Sequence, residues 1–502
     1  MSQELTTSVP QNPSATRQSG PVAPGAGESG ARKSDPARSG GGEPGTRASD
    51  RARRPYGERG GGSGALALTA ALLGFFLVTL DASVVNVALP AMGRDLHGGL
   101  SALQWVVDGY TLAFASLMLS TGALSDRIGA SRAFGAGVVV FTAASVACGL
   151  APGLAVLVAA RIVQGAAASV VLPSSLALVR QAFPDAARRA RAISLWAAGG
   201  ATAVALGPVA GGALTTAWSW RGIFFINLPV GLLTVLMLAR TARSERRPAA
   251  LDLPGQLTAV VALAAVTYAV IEGGRAGLAA LAVAVTAGAA FLVVESRHPH
   301  PVVPLGLFRN ATVTVSIATG GAVTFAFFGT VFVLSLFFQE LRGQSPLTAG
   351  LMFLPMTALI SLVNVIAGRI TNRYGPKPPM VAGQLVILAG LGLLLLAGTG
   401  TPPALLAAAM VPLGLGSALT VPPLTTATLE AVSAERAGLA AGVLNAGRQV
   451  AGGLSVAVCG SLVADRAHFL SGMRVGLLIA AALLVGTTGA SLRWLRAGRA
   501  GV

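Results

Sequence analysis

Residues 122–129 read Gly-Ala-Leu-Ser-Asp-Arg-Ile-Gly, and residues 368–375 read Gly-Arg-Ile-Thr-Asn-Arg-Tyr-Gly. Both stretches fit the pattern Gly-x-(Leu/Ile)-(Ser/Thr)-(Asp/Asn)-Arg-x-Gly, and they begin 246 residues apart. The same spacing relates Gly207 to Gly453, and a spacing of 249 relates Gly165 to Gly414. Matches at nearly constant spacing indicate an internal repeat, so the chain is predicted to contain two similar halves.

The composition shows that water is not the main solvent of this chain. Of its 502 residues, 53% are hydrophobic and only 11% are charged, whereas a soluble domain has about 25% charged residues. The net charge of +17 could suggest a nucleic-acid partner. The basic residues, however, lie in short clusters between long uncharged runs, which is typical of membrane topology and not of a phosphate-binding surface.

From residue 64 onward the chain consists of apolar segments close to the ~20 residues that cross a bilayer. We predict an all-α membrane protein with fourteen transmembrane helices, in two six-helix halves with two inserted helices between them. The predicted domains are a disordered cytoplasmic tail, an N-terminal bundle, two linker helices and a C-terminal bundle, at residues 1–63, 64–247, 248–300 and 301–502. The predicted helices lie at about 66–89, 104–123, 134–151, 154–179, 192–216, 222–240, 254–272, 276–294, 312–338, 347–367, 379–398, 403–428, 438–463 and 475–493.

The distribution of Lys and Arg predicts the orientation in the membrane. With the N-terminal tail inside, 28 of the 36 basic residues lie on the inner side, six lie in outer loops and two lie within helices. Cytoplasmic loops carry an excess of Lys and Arg. Both termini are therefore predicted to be cytoplasmic, in a multi-pass protein of the plasma membrane.

Motifs of soluble enzymes are absent from the sequence. Neither of the two lysines completes a phosphate-binding loop, and the four histidines form no metal-ligand pair at helical spacing. We expect no enzymatic activity, cofactor or metal. Parallel repeats in a membrane protein are typical of transporters that move about a central site. The expected partners are a small-molecule substrate, protons and the lipid bilayer, with the monomer as functional unit.

Charged residues within the predicted helices are the candidates for the mechanism, because each costs about 3 kcal/mol at the centre of a helix. Asp81, Asp108 and Arg161 are such residues in the first half. Asp81 and Arg161 are predicted at similar depth, roughly 13 Å from the outer helix ends at ~1.5 Å per residue. We hypothesise that they contact each other and that Asp81 or Asp108 carries a coupling proton. The alternative is a static ion pair that only orients helices.

Two further motifs predict segments in which the backbone moves or packs closely against a neighbour. In the repeated loop, Gly122 and Gly129 would allow close approach and a tight turn, while Asp126 and Arg127 could form ion pairs or cap a helix. The candidate gating residues of the second copy are Gly368, Asn372, Arg373 and Gly375. In helix 5, Gly207, Pro208, Gly211 and Gly212 predict a kinked, tightly packed segment.

Other polar residues are candidates for a central cavity. They are Asn86, Tyr110, Gln164, Asn445 and Arg448. Glu272 and Glu340 lie at outer helix ends and are interpreted as solvated residues of the rim and not as substrate ligands.

These motifs together resemble a known family. Leu80-Asp-Ala-Ser-Val-Val-Asn-Val-Ala-Leu-Pro90 looks like the helix 1 signature of the fourteen-helix drug:proton antiporters of the major facilitator superfamily. Residues 122–132 resemble its loop motif, Arg161-Ile-Val-Gln-Gly165 its helix 4 motif, and residues 207–212 its antiporter motif. Within this family, residues 105–110 and 354–357 most resemble methylenomycin-resistance exporters.

The resemblance implies proton-driven efflux by alternating access, with Asp81 and Arg161 in coupling. Ala130 and Ser131 stand where the loop motif usually has basic residues, and Asn372 replaces the acid in the second copy. The predicted function is export of a small amphipathic or lipophilic compound such as a drug or antibiotic. Two alternatives stay open, namely a proton-coupled importer of a small organic solute and a non-transporting membrane sensor.

Overall fold

The computed structural model describes residues 61–241, 243–246, 252–299, 301–433 and 436–495. The predicted tail therefore lies outside the described residues, except that 61–63 already belong to the first helix. The predicted boundary between residues 247 and 248 also falls outside them, as does residue 300. Every regular element within the described ranges is helical, which confirms the predicted all-α class.

We number the helices in chain order, and each predicted segment overlaps one of them. They are α1 (Gly61–Asp95), α2 (Leu100–Ile128), α3 (Ala130–Gly149), α4 (Leu154–Ala182), α5 (Ala186–Ala217), α6 (Gly222–Ala239), α7 (Leu253–Glu272), α8 (Gly274–Arg297), α9 (Ala311–Leu341), α10 (Pro346–Met352, Leu354–Ala358 and Ile360–Tyr374), α11 (Lys377–Leu395), α12 (Pro403–Glu430), α13 (Ala437–Leu462) and α14 (Phe469–Trp494).

Twelve helices of the described ranges are long and apolar enough to cross a membrane. A thirteenth, α2, qualifies if its two parts, Leu100–Met118 and Ser120–Ile128, form one span despite a bend of 63°. Helix α13, which contains Asn445, Arg448 and Gln449, is not among them. The chain is thus a multi-pass membrane protein, while the count of fourteen spans stays a prediction.

Helix α10 is interrupted where we predicted one continuous helix over 347–367. Its pieces meet at Phe353 and Leu359. Pro355 explains the first break, because proline has no backbone N–H to donate to the preceding turn and its ring clashes with the carbonyl group there.

The two halves repeat the same helix packing. In the first half α1 packs on α5, α2 on α4, and α3 on both α4 and α6. In the second half α9 packs on α13, α10 on α12, and α11 on both α12 and α14. Contacts between the halves follow the same correspondence, since α2 packs on α13 and α5 packs on α10. The inserted helices α7 and α8 form a hairpin that packs on α2 and α13 through α7.

The repeated glycines have the same structural role in both halves. A side chain at Gly165 of α4 would overlap the carbonyl oxygen of Tyr110 in α2. A side chain at Gly414 of α12 would overlap the carbonyl oxygen of Met356 in α10. Small residues let membrane helices approach closely. The spacing of 249 residues between these glycines therefore reflects one helix crossing that occurs twice.

Candidate functional site

Asp81 of α1 and Arg161 of α4 form an ion pair in the interior of the first half. Both side chains are at most 1% exposed. The Arg161 Nη1 atom donates to Asp81 Oδ2, and Nε donates to the carbonyl oxygen of Val106 at 3.1 Å. The guanidinium carbon also lies 4.1 Å from the centre of the Tyr110 ring. Two charges out of water need such partners, because neither could be buried alone without a large cost.

Uncharged polar side chains complete the shell of this ion pair. Gln164 accepts from Arg161 Nη1 at 2.8 Å and donates to Asp81 Oδ1 at 2.9 Å. Asn227 of α6 donates to Asp81 Oδ1 at 2.8 Å and to the Ser145 hydroxyl of α3 at 2.9 Å. The network therefore joins α1, α3, α4 and α6. Asp81 and Arg161 lie together as hypothesised, and Gln164 belongs to this network.

Asp108 of α2 has the opposite environment. It is fully buried, yet neither carboxyl oxygen has a hydrogen-bond partner in the part of the chain that the structure describes. Its Oδ1 atom lies 3.6 Å from the position that a side chain at Gly453 of α13 would occupy. Asp108 thus faces the second half across the α2–α13 contact. A lone carboxylate away from water is costly, whereas a protonated carboxyl group is much less so.

A cavity of about 130 Å³ lies between the halves. Its lining contains no charged side chain, and hydroxyl and amide groups interrupt a largely apolar and aromatic surface. Tyr110 lines this cavity and its ring also contacts Arg161, so Tyr110 connects the cavity lining to the ion pair. The lining residues are Phe75, Val78, Thr79, Ala82, Ser83, Asn86, Val107, Tyr110, Thr111, Phe114, Leu172, Val204, Pro208, Phe327, Phe328, Val331, Met356, Thr357, Gln449, Gly452 and Val456.

The candidate cavity residues do not all lie in this cavity. Asn86 and Tyr110 line it, while Asn445 and Arg448 do not. The Arg448 Nε atom instead donates to the Thr324 hydroxyl at 3.3 Å. Gln449 was not predicted to line the cavity, and Asn227 was not predicted to be a hydrogen-bond partner of Asp81. Asn227 is a single amide within an apolar segment, which is the signal that could have identified it, whereas Gln449 directly follows Arg448.

The helix 5 motif lies where α1, α5 and α10 meet. A side chain at Gly207 would overlap the Ser83 hydroxyl of α1, and one at Gly211 would lie 2.6 Å from the carbonyl oxygen of Val84. A side chain at Gly212 would overlap the backbone of α10 at Pro346. Pro208 itself lines the cavity. This segment therefore supports close packing on two sides, in agreement with the predicted tight packing.

The two repeated loops follow α2 and α10 with glycines in left-handed backbone. Gly129 has φ of +93° and Gly375 has φ of +80°, a region that favours glycine. Gly122 and Gly368 have open space at their side-chain positions, so the close approach expected at Gly122 does not occur there. Gly129 does approach the chain closely, since a side chain would lie 2.9 Å from the carbonyl oxygen of Ser244.

The polar residues of these loops are exposed. Asp126, Arg127, Asn372 and Arg373 all lie at the surface. Within the described ranges Asp126 and Arg127 form no ion pair, so the pairing we considered does not occur in this conformation. Ser131 supplies another contact, because its hydroxyl accepts from the Ser244 amide at 2.8 Å and its amide donates to the Ser244 hydroxyl at 3.1 Å.

Hydrogen bonds between the two halves concentrate at the end of the bundle that carries Glu340. Ser335 and Gln339 of α9 donate to the carbonyl oxygens of Asn86 and Val87 in α1, each at 2.8 Å. Arg94 lies 3.6 Å from Glu340. Thr357, near the middle of the bundle, donates to the carbonyl oxygen of Ala205 at 3.2 Å. We call this closed end the Glu340 end and the opposite one the Asp126 end.

Comparison with known proteins agrees with this arrangement. Residues 71–456 match the family model of the Major Facilitator Superfamily. The chain is 40% identical to the multidrug resistance protein Stp of Mycobacterium tuberculosis, over 80% of this chain and 76% of that protein. It is 39% identical to the methylenomycin A resistance protein of Streptomyces coelicolor, over 82% and 88%.

Solved structures support the fold. A peptide transporter POT in complex with sulfate matches with a TM-score of 0.65 at 16% identity, covering 85% of this chain and 94% of that one. A bacterial homologue of the lysosomal transporter Spinster matches with a TM-score of 0.63 at 15% identity, covering 86% and 97%. The repeated helix packing, the buried ion pair and the family match together show that this chain is a transporter, not an enzyme, and belongs to the Major Facilitator Superfamily.

Proposed function

We propose that this protein is a proton-coupled exporter of small lipophilic or amphipathic compounds of the antibiotic class. The observation that carries the proposal is the largely apolar cavity between the halves, which is connected through Tyr110 to a buried Asp–Arg pair. An apolar lining with a few hydroxyl and amide groups suits a lipophilic ligand that makes one or two hydrogen bonds. An importer of sugars would need many polar groups in the lining, and hydroxyl and amide groups are few there.

In transport by alternating access one end of the bundle is closed while the other is open, and the closed Glu340 end fits this scheme. The Glu340 end is closed by contacts between the halves, and the loops at the Asp126 end carry most of the basic residues. By the positive-inside rule the Asp126 end faces the cytoplasm, and both termini lie on that side. The conformation is then an inward-facing one, ready to take substrate from the cytoplasm or inner leaflet. Residues 64–247 and 301–502 would be the moving halves, residues 248–300 the insert, and the monomer the working unit.

Proton coupling would use the two acidic residues differently. Asp81 is held by Arg161, Gln164 and Asn227, so its proton can bind only when this network rearranges. Asp108 has no partner in the described ranges and faces the second half, so it can carry a proton as a neutral group while the halves move. Tyr110 would transmit the presence of substrate to Arg161 through its ring.

Everted membrane vesicles test this proposal. Respiration acidifies their interior, and methylenomycin A, puromycin and tetracenomycin C are suitable probes because similar proteins are named for resistance to them. An exporter should take up the compound and release protons, so a fluorescent pH indicator should report a saturable loss of the gradient. Vesicles without the protein are the control. Uptake that leaves the gradient unchanged would contradict proton coupling, and no uptake of any of these probes would contradict the proposed substrate class.

A further inference from the structure

A second cluster of buried acids lies in the inserted hairpin, away from the cavity and from the Asp81 network. Asp252 immediately precedes α7, and Glu295 lies in the last turn of α8. Both residues are only 3% exposed. Asp252 is on the connector from the first half to the hairpin, and Glu295 adjoins the connector from the hairpin to the second half. The cluster therefore lies where the two connectors meet.

One oxygen of each carboxyl group is occupied by a backbone amide. Asp252 Oδ1 accepts from the Gly255 amide at 2.8 Å, and Glu295 Oε2 accepts from the Val303 amide at 3.0 Å. The other two oxygens, Asp252 Oδ2 and Glu295 Oε1, are buried and accept no hydrogen bond within the described ranges. These two free oxygens point to the same place.

The surroundings of Gly255 set an upper limit on the distance between Asp252 Oδ2 and Glu295 Oε1. Both lie within 2.7 Å of the position that a side chain at Gly255 would occupy. They are therefore no more than about 5.4 Å apart, twice that distance. Only glycine leaves this space open, because an added methyl group would collide with both oxygens.

One histidine lies beside the pair. His298, on the second connector, has its Nδ1 atom 3.6 Å from Asp252 Oδ2. No Lys or Arg of the described ranges forms an ion pair with either carboxyl group. Two carboxylates this close and away from water repel each other strongly, and such pairs release their protons as a coupled unit.

We propose that Asp252 and Glu295 form a proton-binding site that holds one proton between the two carboxyl groups and fastens the two connectors together. With the proton bound, one carboxyl group is neutral and the repulsion disappears. When the proton leaves, the two negative groups push the connectors apart at the Asp126 end of the bundle. The ligand is a proton, and the site is separate from Asp81 and Asp108.

Infrared absorption of protonated carboxyl groups tests this site in the purified full-length protein at neutral pH. The double variant, D252N with E295Q, should lose the absorption of one carboxylic acid, because the pair holds one proton. Each single variant should lose no more than the double variant does, because only one proton was present. D465N is the matched control. The hydrogen bond from His468 holds the pKa of the exposed Asp465 below its usual range, so this variant should lose nothing.

Two outcomes would overturn the proposal. Unchanged absorption in the double variant would mean that both acids are already ionised, and the loss of two carboxylic acids there would mean two separate protons. G255A supplies a test that keeps both carboxyl groups, since its methyl group should separate them and remove the same absorption. Hydrogen exchange of the Val303 amide, corrected for its intrinsic pH dependence, should become faster at alkaline pH in the natural protein. It should change little in the double variant.

Discussion

The two halves of this transporter share one helix arrangement but have different interiors. In the first half Asp81 and Arg161 form a buried ion pair. A shift of 246 residues takes Asp81 to Phe327, which lines the cavity, and a shift of 249 takes Arg161 to Met410, which is fully buried. The same fold therefore holds charge in one half and apolar surface at the matching places of the other. The comparison suggests that the first half handles the coupling ion and the second supplies a wall for the substrate.

Breaking the ion pair should have the largest effect. Arg161→Met leaves Asp81 buried without its counter-charge, so we expect it to lose about 3–5 kcal/mol of stability and all transport. The second-half arginine offers the control, because within the described ranges Arg448 donates only to the neutral Thr324 hydroxyl. Arg448→Met should lose roughly 1 kcal/mol. Thermal unfolding in detergent measures both.

A double variant separates charge from packing in this prediction. Asp81→Leu together with Arg161→Met removes both charges, and replacing a buried ion pair by apolar groups is often neutral. We expect its unfolding temperature to return close to that of the natural protein while transport stays absent. If the double variant were as unstable as Arg161→Met alone, the instability would come from lost packing and not from an unpaired charge.

Asp108→Asn should affect coupling and leave stability nearly unchanged. The carboxyl group has no partner in the described ranges, and an amide has the same shape, so we expect a change within about 1 kcal/mol. Proton release driven by the compound should disappear in everted vesicles, because an amide cannot carry the proton. A variant that kept the full pH response would show that Asp108 has no part in coupling and would leave Asp81 as the carrier.

The two halves, the helices and the ion pair could be predicted because each has a sequence pattern that differs clearly from the neighbouring residues. Apolar segments of bilayer length stand out, and so do the charges of Asp81 and Arg161 within them. Asn227 was missed because nearly every neighbouring position is hydrophobic, so periodicity does not determine which face of its helix points inward. Gln449 was missed because it stands beside Arg448 and near Asn445, and the sequence does not determine which of the three lines the cavity. Which end of the bundle is closed could not be predicted either, because local sequence does not determine which conformation a transporter adopts.

Variants of Tyr110 and Phe114 test whether the ring contact with Arg161 matters for coupling, and their expected effects are smaller. Both line the cavity, and their ring centres are 6.0 Å apart, but it is Tyr110 that contacts Arg161. A buried cation–π contact contributes about 2 kcal/mol. We expect Tyr110→Leu to lower the number of protons released per molecule transported, and Phe114→Leu to raise KM without changing that ratio. Tyr110→Phe keeps the ring and should keep the ratio. Equal effects of both leucine variants would make Tyr110 an ordinary part of the lining.

Glu340 should give the smallest effect, and it tests whether ion pairs or buried hydrogen bonds close the Glu340 end. Its partners Arg94 and Arg466 are 62% and 79% exposed, and exposed ion pairs contribute about 0–1 kcal/mol and weaken in salt. Glu340→Gln should therefore change stability by less than about 1 kcal/mol at low salt and by nothing at high salt. Gln339 is the neighbouring comparison, because it is buried and donates to the Val87 carbonyl oxygen. Gln339→Leu leaves that oxygen without its donor, so it should destabilise the closed end more, at every salt concentration. The reverse order would mean that surface ion pairs, and not buried hydrogen bonds, join the two halves at this end. It would also mean that the difference in charge between the halves extends to the ends of their helices.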